Sequence, residues 1–137
     1  MRYLIDTNIF LFAMHEQDKL SKNVQHIIDD YENKIYISSE SIKEIILLLR
    51  AKKIEVAEWK TTKDIFTAID EHGFTIDYIK KEHILILGKI EPILGHKDPF
   101  DHIIMAHAIT NKIPLISSDT YMPYYVSQGL NFISNRF

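Results

Sequence analysis

The sequence predicts a single α/β domain spanning residues 1–137, with about five short strands in a mainly parallel sheet and helices over both of its faces. Two observations predict it. Short apolar runs alternate along the chain with longer segments whose apolar residues recur three and four positions apart. The composition, 137 residues with 46% hydrophobic and only four Gly and four Pro, suits one core and contains no linker, internal repeat or low-complexity tract.

Tyr3-Leu4-Ile5 reads as a first strand that stops at Asp6, and Ile9 to Phe12, after the polar Thr7-Asn8 corner, begin a helix. Leu20, Val24, Ile27, Ile28 and Tyr31 mark one face of a helix over 18–31. Residues 34–38 give the second strand. From Ser41, the residues Ile42, Ile45, Ile46 and Leu49 repeat the helical period, and Leu47 and Leu48 widen the apolar face, so this helix is a core element. Trp59, Ile65, Phe66 and Ile69 make an amphipathic helix of about 58–72 that Gly73 closes, and Phe74 to Ile76 supply a third strand. Ile79, Ile86, Leu87 and Ile90 share a stripe over 79–91 before Pro92, although Gly88 costs roughly 1 kcal/mol against Ala. Asp98-Pro99 opens a helix running to about Asn111: Asp suits the N-cap, and Pro suits the first helical position, where its missing N–H has no partner to lose. Residues 113–117 and 130–133 are the fourth and fifth strands.

Sixteen Lys plus Arg against 19 Asp plus Glu give a net charge of -3, which marks neither a polybasic nucleic-acid binder nor an acidic tail. Absence of cysteine removes disulfides, thiolate metal sites and cysteine nucleophiles, and fits a cytoplasmic protein. The longest apolar run, Ile9 to Met14, is far short of the roughly 18 residues that span a bilayer, and Asp6 interrupts the only candidate leader. No Gly-rich phosphate loop, dinucleotide fingerprint or G-x-S-x-G elbow is present. Among the seven histidines, His102 and His107 are five apart, about 140° round a helix, and so do not share a face for zinc.

What remains is a set of acids. Asp6 follows the first strand, Glu44 lies in the first turn of the helix after the second, Asp101 lies in the first turn of its helix, and Asp119 follows the fourth strand. In a parallel sheet those positions fall along the edge where open α/β folds bind ligands. Converging carboxylates repel unless a hard cation sits among them, and oxygen-only ligation favours Mg²⁺ or Mn²⁺. Such a site suits phosphodiester hydrolysis, because the metal makes hydroxide available near neutral pH and offsets charge on the phosphate without a Ser, Cys or His nucleophile.

Each acid has a second explanation. Ser41-Ile-Lys-Glu44 spells a capping box, and Asp98 with Asp101 fits the N-cap and third position of one helix. Asp119 can cap the turn around Thr120 to Tyr124, and Asp6 can form an Asx turn. Capping does not explain why the acids mark several different strand ends. Asp64 and Asp70 read as solvated mid-helix residues, and Asp77, after the third strand, is a fifth candidate.

Four strings resemble the PIN-domain ribonucleases, and within them the VapC-type toxins of type II toxin–antitoxin pairs: Leu4-Ile-Asp-Thr-Asn-Ile9, Ser38-Ser-Glu-Ser-Ile-Lys-Glu44, His96-Lys-Asp-Pro-Phe-Asp-His-Ile-Ile-Met-Ala-His-Ala108 and Pro114-Leu-Ile-Ser-Ser-Asp119. The resemblance implies a three-layer α/β/α sandwich and a Mg²⁺- or Mn²⁺-dependent endoribonuclease. It places metal or catalytic roles on Asp6, Glu44, Asp101 and Asp119, and gives Asn8 the task of orienting Asp6 or contacting water on the metal. Asp98 is left between capping and an outer role. Ser117 stands where many members have Thr, and His102 where close relatives often have Arg. The partners implied are RNA, a cognate antitoxin and a second copy of the chain, with Phe12, Tyr31 and Trp59 as candidate contact residues.

Two other classes stay open. An aspartyl-phosphate phosphatase would also start from a strand ending at Asp6, but that chemistry wants a second acid where Asn8 stands. A non-catalytic module of the same fold is the other, and retention of all four acids speaks against it. Arg50, Lys52, Lys53, Lys60, Lys63 and Lys97 could meet phosphates, or form a solvated face.

Overall fold

The computed structural model describes all 137 residues. Five strands, β1 (Arg2–Ile5), β2 (Lys34–Ser38), β3 (Thr75–Asp77), β4 (Leu115–Ser117) and β5 (Phe132–Ser134), pair in the order β3-β2-β1-β4-β5, every pair parallel. Six α-helices connect them: α1 (Thr7–His15), α2 (Lys22–Asp29), α3 (Ser39–Arg50), α4 (Thr62–Glu71), α5 (Lys81–Leu87) and α6 (Pro99–Asn111). Short 3-10 segments cover Gln17–Lys19 and Met122–Gln128.

Strand alternation divides the core into two layers. Tyr3 and Ile5 of β1 face one side with Ile9, Phe10, Val24, Ile42, Ile45, Ile65 and Ile69, whereas Leu4 faces the other with Ile104, Met105, Leu115 and Tyr125. Helices therefore cover both faces, and the expected three-layer α/β/α sandwich is the observed one. Ile103 to Ala108 of α6 are six successive buried residues, as expected of a helix that is apolar all round. No helix is long and apolar enough to cross a membrane.

Several boundaries move, each for a local reason. The helix expected over 18–31 begins at Lys22, because the Ser21 hydroxyl accepts the Val24 N–H as N-cap. α3 starts at Ser39 rather than Ser41, with Ser38 Oγ accepting the Glu40 N–H, so Glu44 lies in its second turn and not in a capping box. α4 starts at Thr62, and Asp64, far from mid-helix, closes a capping box by accepting the Lys60 and Thr61 N–H groups. α5 stops at Leu87 with Gly88 as its C-cap, well before Pro92. Of the three proposed contact aromatics, Trp59 is buried and stacked on Phe10, Phe12 packs half-buried against the core, and Tyr31 is exposed.

Near its C-terminal edge the sheet is tied to the α1–α2 corner by Asn135. Its side chain accepts the Ser21 N–H at 2.6 Å and donates to Lys19 O and Ser118 Oγ, both at 2.9 Å.

Candidate active site

β1 lies at the centre of the sheet, and the chain runs from it outward through β2 and β3, then returns to its other side for β4 and β5. The connections after β1 and β4 therefore depart in opposite directions, which leaves a crevice at their carboxyl ends. Asp6 follows β1 directly, and Asp119 lies two residues beyond β4. The crevice forms a cavity of about 200 Å³ lined by Asp6, Thr7, Asn8, Glu44, Asp98, Asp101, Ser118 and Asp119, with no hydrophobic residue. All four acids expected at the site meet there. Asp98 and Asn8 join them, whereas Ser117 is buried behind the lining.

Capping and clustering coexist in these residues. Asp6 is the N-cap of α1, its Oδ1 accepting the Ile9 N–H at 2.9 Å. Asp98 caps α6 through the Phe100 N–H at 2.9 Å, and Asp119 Oδ1 accepts the Tyr121 N–H at 2.8 Å. These bonds fix three carboxylates to backbone, so two helix starts and one turn are the means by which acids are held close together. Glu44 is held differently: the Thr7 hydroxyl donates to its Oε1 and lies 3.0 Å from Ser41 Oγ.

Burial, with crowding added to it, raises the carboxyl pKa values. Asp6 is pushed up to about 6 by burial, with Asp119 and Glu44 adding to it against hydrogen bonds from Ser117 and Ile9. Asp101 rises to about 8, first through burial, then through a hydrogen bond shared with Asp119 and the charges of Asp98, Asp119 and Asp6. Burial also raises Glu44, against the Thr7 bond. Oxygen donors that hold protons near neutral pH for lack of a counter-charge fit a hard divalent cation, which would relieve the repulsion.

One nitrogen lies among these oxygens. His96, 4% exposed, places Nε2 3.0 Å from Asp101 Oδ2 and 3.4 Å from Asp119 Oδ2. Neither His96 nor Thr7 is picked out by reading the acids. The available signals were their places in two of the strings that carry the resemblance, His96 two residues before Asp98 and Thr7 next to Asp6.

Asp77 does not join the cavity. Its Oδ2 accepts from His107 Nε2 at 2.8 Å and from Asn111 Nδ2 at 2.7 Å, while His83 Nε2 meets Asn111 Oδ1 at 2.9 Å. Lys80 N–H and Ser38 Oγ satisfy the remaining nitrogens of His83 and His107. Every ring nitrogen is engaged, so this cluster joins α5 and α6 to the ends of β2 and β3 as a structural network.

The sequence matches the PIN domain family over residues 3–125. No curated protein matches it in sequence. Among solved structures, a chain of VapBC2 from Rickettsia felis, bound to a DNA fragment from its promoter, is 20% identical with a TM-score of 0.65 and 98% of each chain covered. A chain of VapBC-1 from nontypeable Haemophilus influenzae is 19% identical, with a TM-score of 0.64 and 98% of each covered. One from DNA-bound VapBC of Salmonella typhimurium is 12% identical, with a TM-score of 0.69 and 99% of each covered.

Proposed function

The chain belongs to the PIN domain family, and from that premise we propose that it is a Mg²⁺- or Mn²⁺-dependent endoribonuclease, the toxin of a toxin–antitoxin pair. The observation that carries the reading is the polar cavity at the β1–β4 crevice, where Asp6, Glu44, Asp101 and Asp119 converge with Asp98 at its rim. A bound divalent cation supplies a nucleophile at neutral pH and stabilises charge on the attacked phosphodiester.

The chain's own residues do the holding. Asp6, Glu44, Asp101 and Asp119 are the ligand set; Thr7 orients Glu44, and Ser117 with the Ile9 N–H orients Asp6. Asn8 opens onto the same cavity, within reach of water or substrate. Phosphate contacts fall to the exposed Lys97, beside Asp98, and to the more distant Arg50, Lys52, Lys53, Lys60 and Lys63, all exposed. An aspartyl-phosphate phosphatase fits less well. Asp6 is 6% exposed, its carboxylate already accepts the Ile9 N–H, and Asn8 stands where that chemistry wants a second acid.

The partner assignments rest on the neighbours: a Mycobacterium tuberculosis VapBC-5 structure, 10% identical, is described as a member of the VapBC family of toxin–antitoxin systems. By analogy an antitoxin segment covers the acidic cavity, and action on RNA places the protein in the cytoplasm. For the homodimer, exposed Tyr78, Ile84 and Leu85 on and before α5 offer an apolar contact surface that Trp59 does not. Partner-free protein should cleave RNA in Mg²⁺ or Mn²⁺ and stop in excess EDTA. Undiminished cleavage with chelator would remove the metal from the mechanism.

A further inference from the structure

His96 is fixed from three sides. The turn Ile93-Leu94-Gly95-His96 closes with the His96 N–H donating to Ile93 O at 2.9 Å. Gly95 sits at φ +90°, and a Cβ there would lie 3.1 Å from Tyr121 Oη, so the turn requires glycine to set the ring down on Tyr121. The two rings stack at 4.6 Å and 11°. The edge of His102 closes a third side at 4.8 Å.

Hydrogen-bond wiring fixes the tautomer as well. The Ile93 N–H donates to Tyr125 Oη at 2.9 Å, which leaves the phenol proton free to point at His96 Nδ1, 2.7 Å away. Tyr125 is fully buried and has no other partner to choose. A neutral imidazole that accepts at Nδ1 carries its proton on Nε2. That N–H faces Asp101 Oδ2 and Asp119 Oδ2, two oxygens that would otherwise repel.

We propose that His96 is a positioning residue whose Nε2–H bridges Asp101 and Asp119 and presets them for the divalent cation, with Tyr125 enforcing the tautomer. The proposal rests on the metal-site reading above. It makes His96 a donor to the ligands and not a ligand: direct coordination would need the Nε2 lone pair, and so a Tyr125 proton turned away from Nδ1. The 3-10 segment and the residue that leads into it carry much of the support, since the Tyr121 N–H holds Asp119, the Tyr121 ring lies under His96, and Tyr125 backs it. Outer partners of this kind typically change metal affinity about 10- to 100-fold when removed.

Two measurements test it. Long-range ¹H–¹⁵N correlation on labelled protein at about pH 8, above the ordinary imidazole range, should show His96 protonated at Nε2, with Tyr125→Phe relaxing toward a mixture. An Nδ1–H tautomer in the parent overturns the proposal. Mn²⁺ titrations followed by electron paramagnetic resonance, without RNA, should show His96→Met binding about 10- to 100-fold more weakly, and His96→Gln, which keeps a donor at the Nε2 position, restoring most of the loss. Equal affinity of His96→Met and the parent, or equal weakness of His96→Gln and His96→Met, overturns it. If His96→Met does not fold, the Tyr125→Phe spectrum decides. A parent that binds no Mn²⁺ overturns the metal-site reading and this proposal with it, whereas a parent that binds while His96→Met binds equally overturns this proposal alone.

Discussion

Replacing Asp101 by Asn should make the metal-free protein more stable while ending cleavage. Folding raises the Asp101 pKa from 3.8 to about 8, so the native state binds a proton that the unfolded chain has lost. Stability therefore falls as pH rises across that window, at 1.36 kcal/mol per unit, and a rise of about four units amounts to about 5 to 6 kcal/mol. Solvent reaches 24% of the side chain and Asp119 shares the proton, which reduces the expected penalty to about 3 kcal/mol. Asn carries no charge, still offers His96 Nε2 an acceptor, and forfeits roughly 0.3 to 1 kcal/mol of favourable first-turn charge on α6. The net expectation at pH 8 in EDTA is a gain of about 2 kcal/mol, or about 8 °C in midpoint at this chain length. Near pH 4, where the folded carboxyl is neutral and the unfolded one sits close to its own pKa of 3.8, most of the gain should be gone. Thermal and denaturant unfolding across that pH range, repeated with Mg²⁺, measure it. A variant no more stable than its parent at pH 8 in EDTA would mean that burial and the neighbouring acids do not hold a proton on Asp101, and a variant that still cut RNA at the parent rate would take Asp101 out of the site.

Asp6 should split by substitution: Asn keeps the N-cap acceptor for Ile9 and gains stability above about pH 6, while Ala loses about 0.5 to 2 kcal/mol of capping, a contrast read from unfolding at pH 8. Asp98→Ala should lose about 0.5 to 2 kcal/mol as a missing cap of α6 yet retain appreciable cleavage; a stable but inactive protein would move Asp98 into the ligand set. Thr7→Val should weaken cleavage about 10-fold or more, because Glu44 loses the hydroxyl that aims it, and parent-like rates would assign Glu44 no orienting need. Light scattering at high concentration should give twice the chain mass, and a monomer would count against the dimer.

Legibility followed sequence distance. Asp6 and Asp119 were readable because apolar runs stop at them, and strand ends in a parallel sheet share an edge whatever the strand order. The α6 cap was readable since Asp98 and Pro99 act within one turn. The α3 start was not, because Ser38 and Ser41 both spell an N-cap and only the strand's pairing as far as Ser38 decides between them. Glu44 was readable as a site acid, but the Thr7 hydroxyl that holds it, 37 residues away, was not. His96 sits in a loop, where no periodicity announces which way a ring faces. Its role depends on Tyr121 and Tyr125, whose spacing to it carries no pattern of its own.

Asn135 contacts no carboxylate, yet it grips the loop between β4 and Asp119 through Ser118 and the α1–α2 corner through Ser21 and Lys19. A selection for harmless variants of a toxic chain would therefore return Asn135 beside the acids themselves. Such survivors would bear every surface sign of a catalytic lesion, with all five carboxylates intact. Separating the two groups takes a melting curve: lesions at Asn135 should soften the protein, and amide replacements at Asp6 or Asp101, which remove charge but keep an acceptor, should harden it.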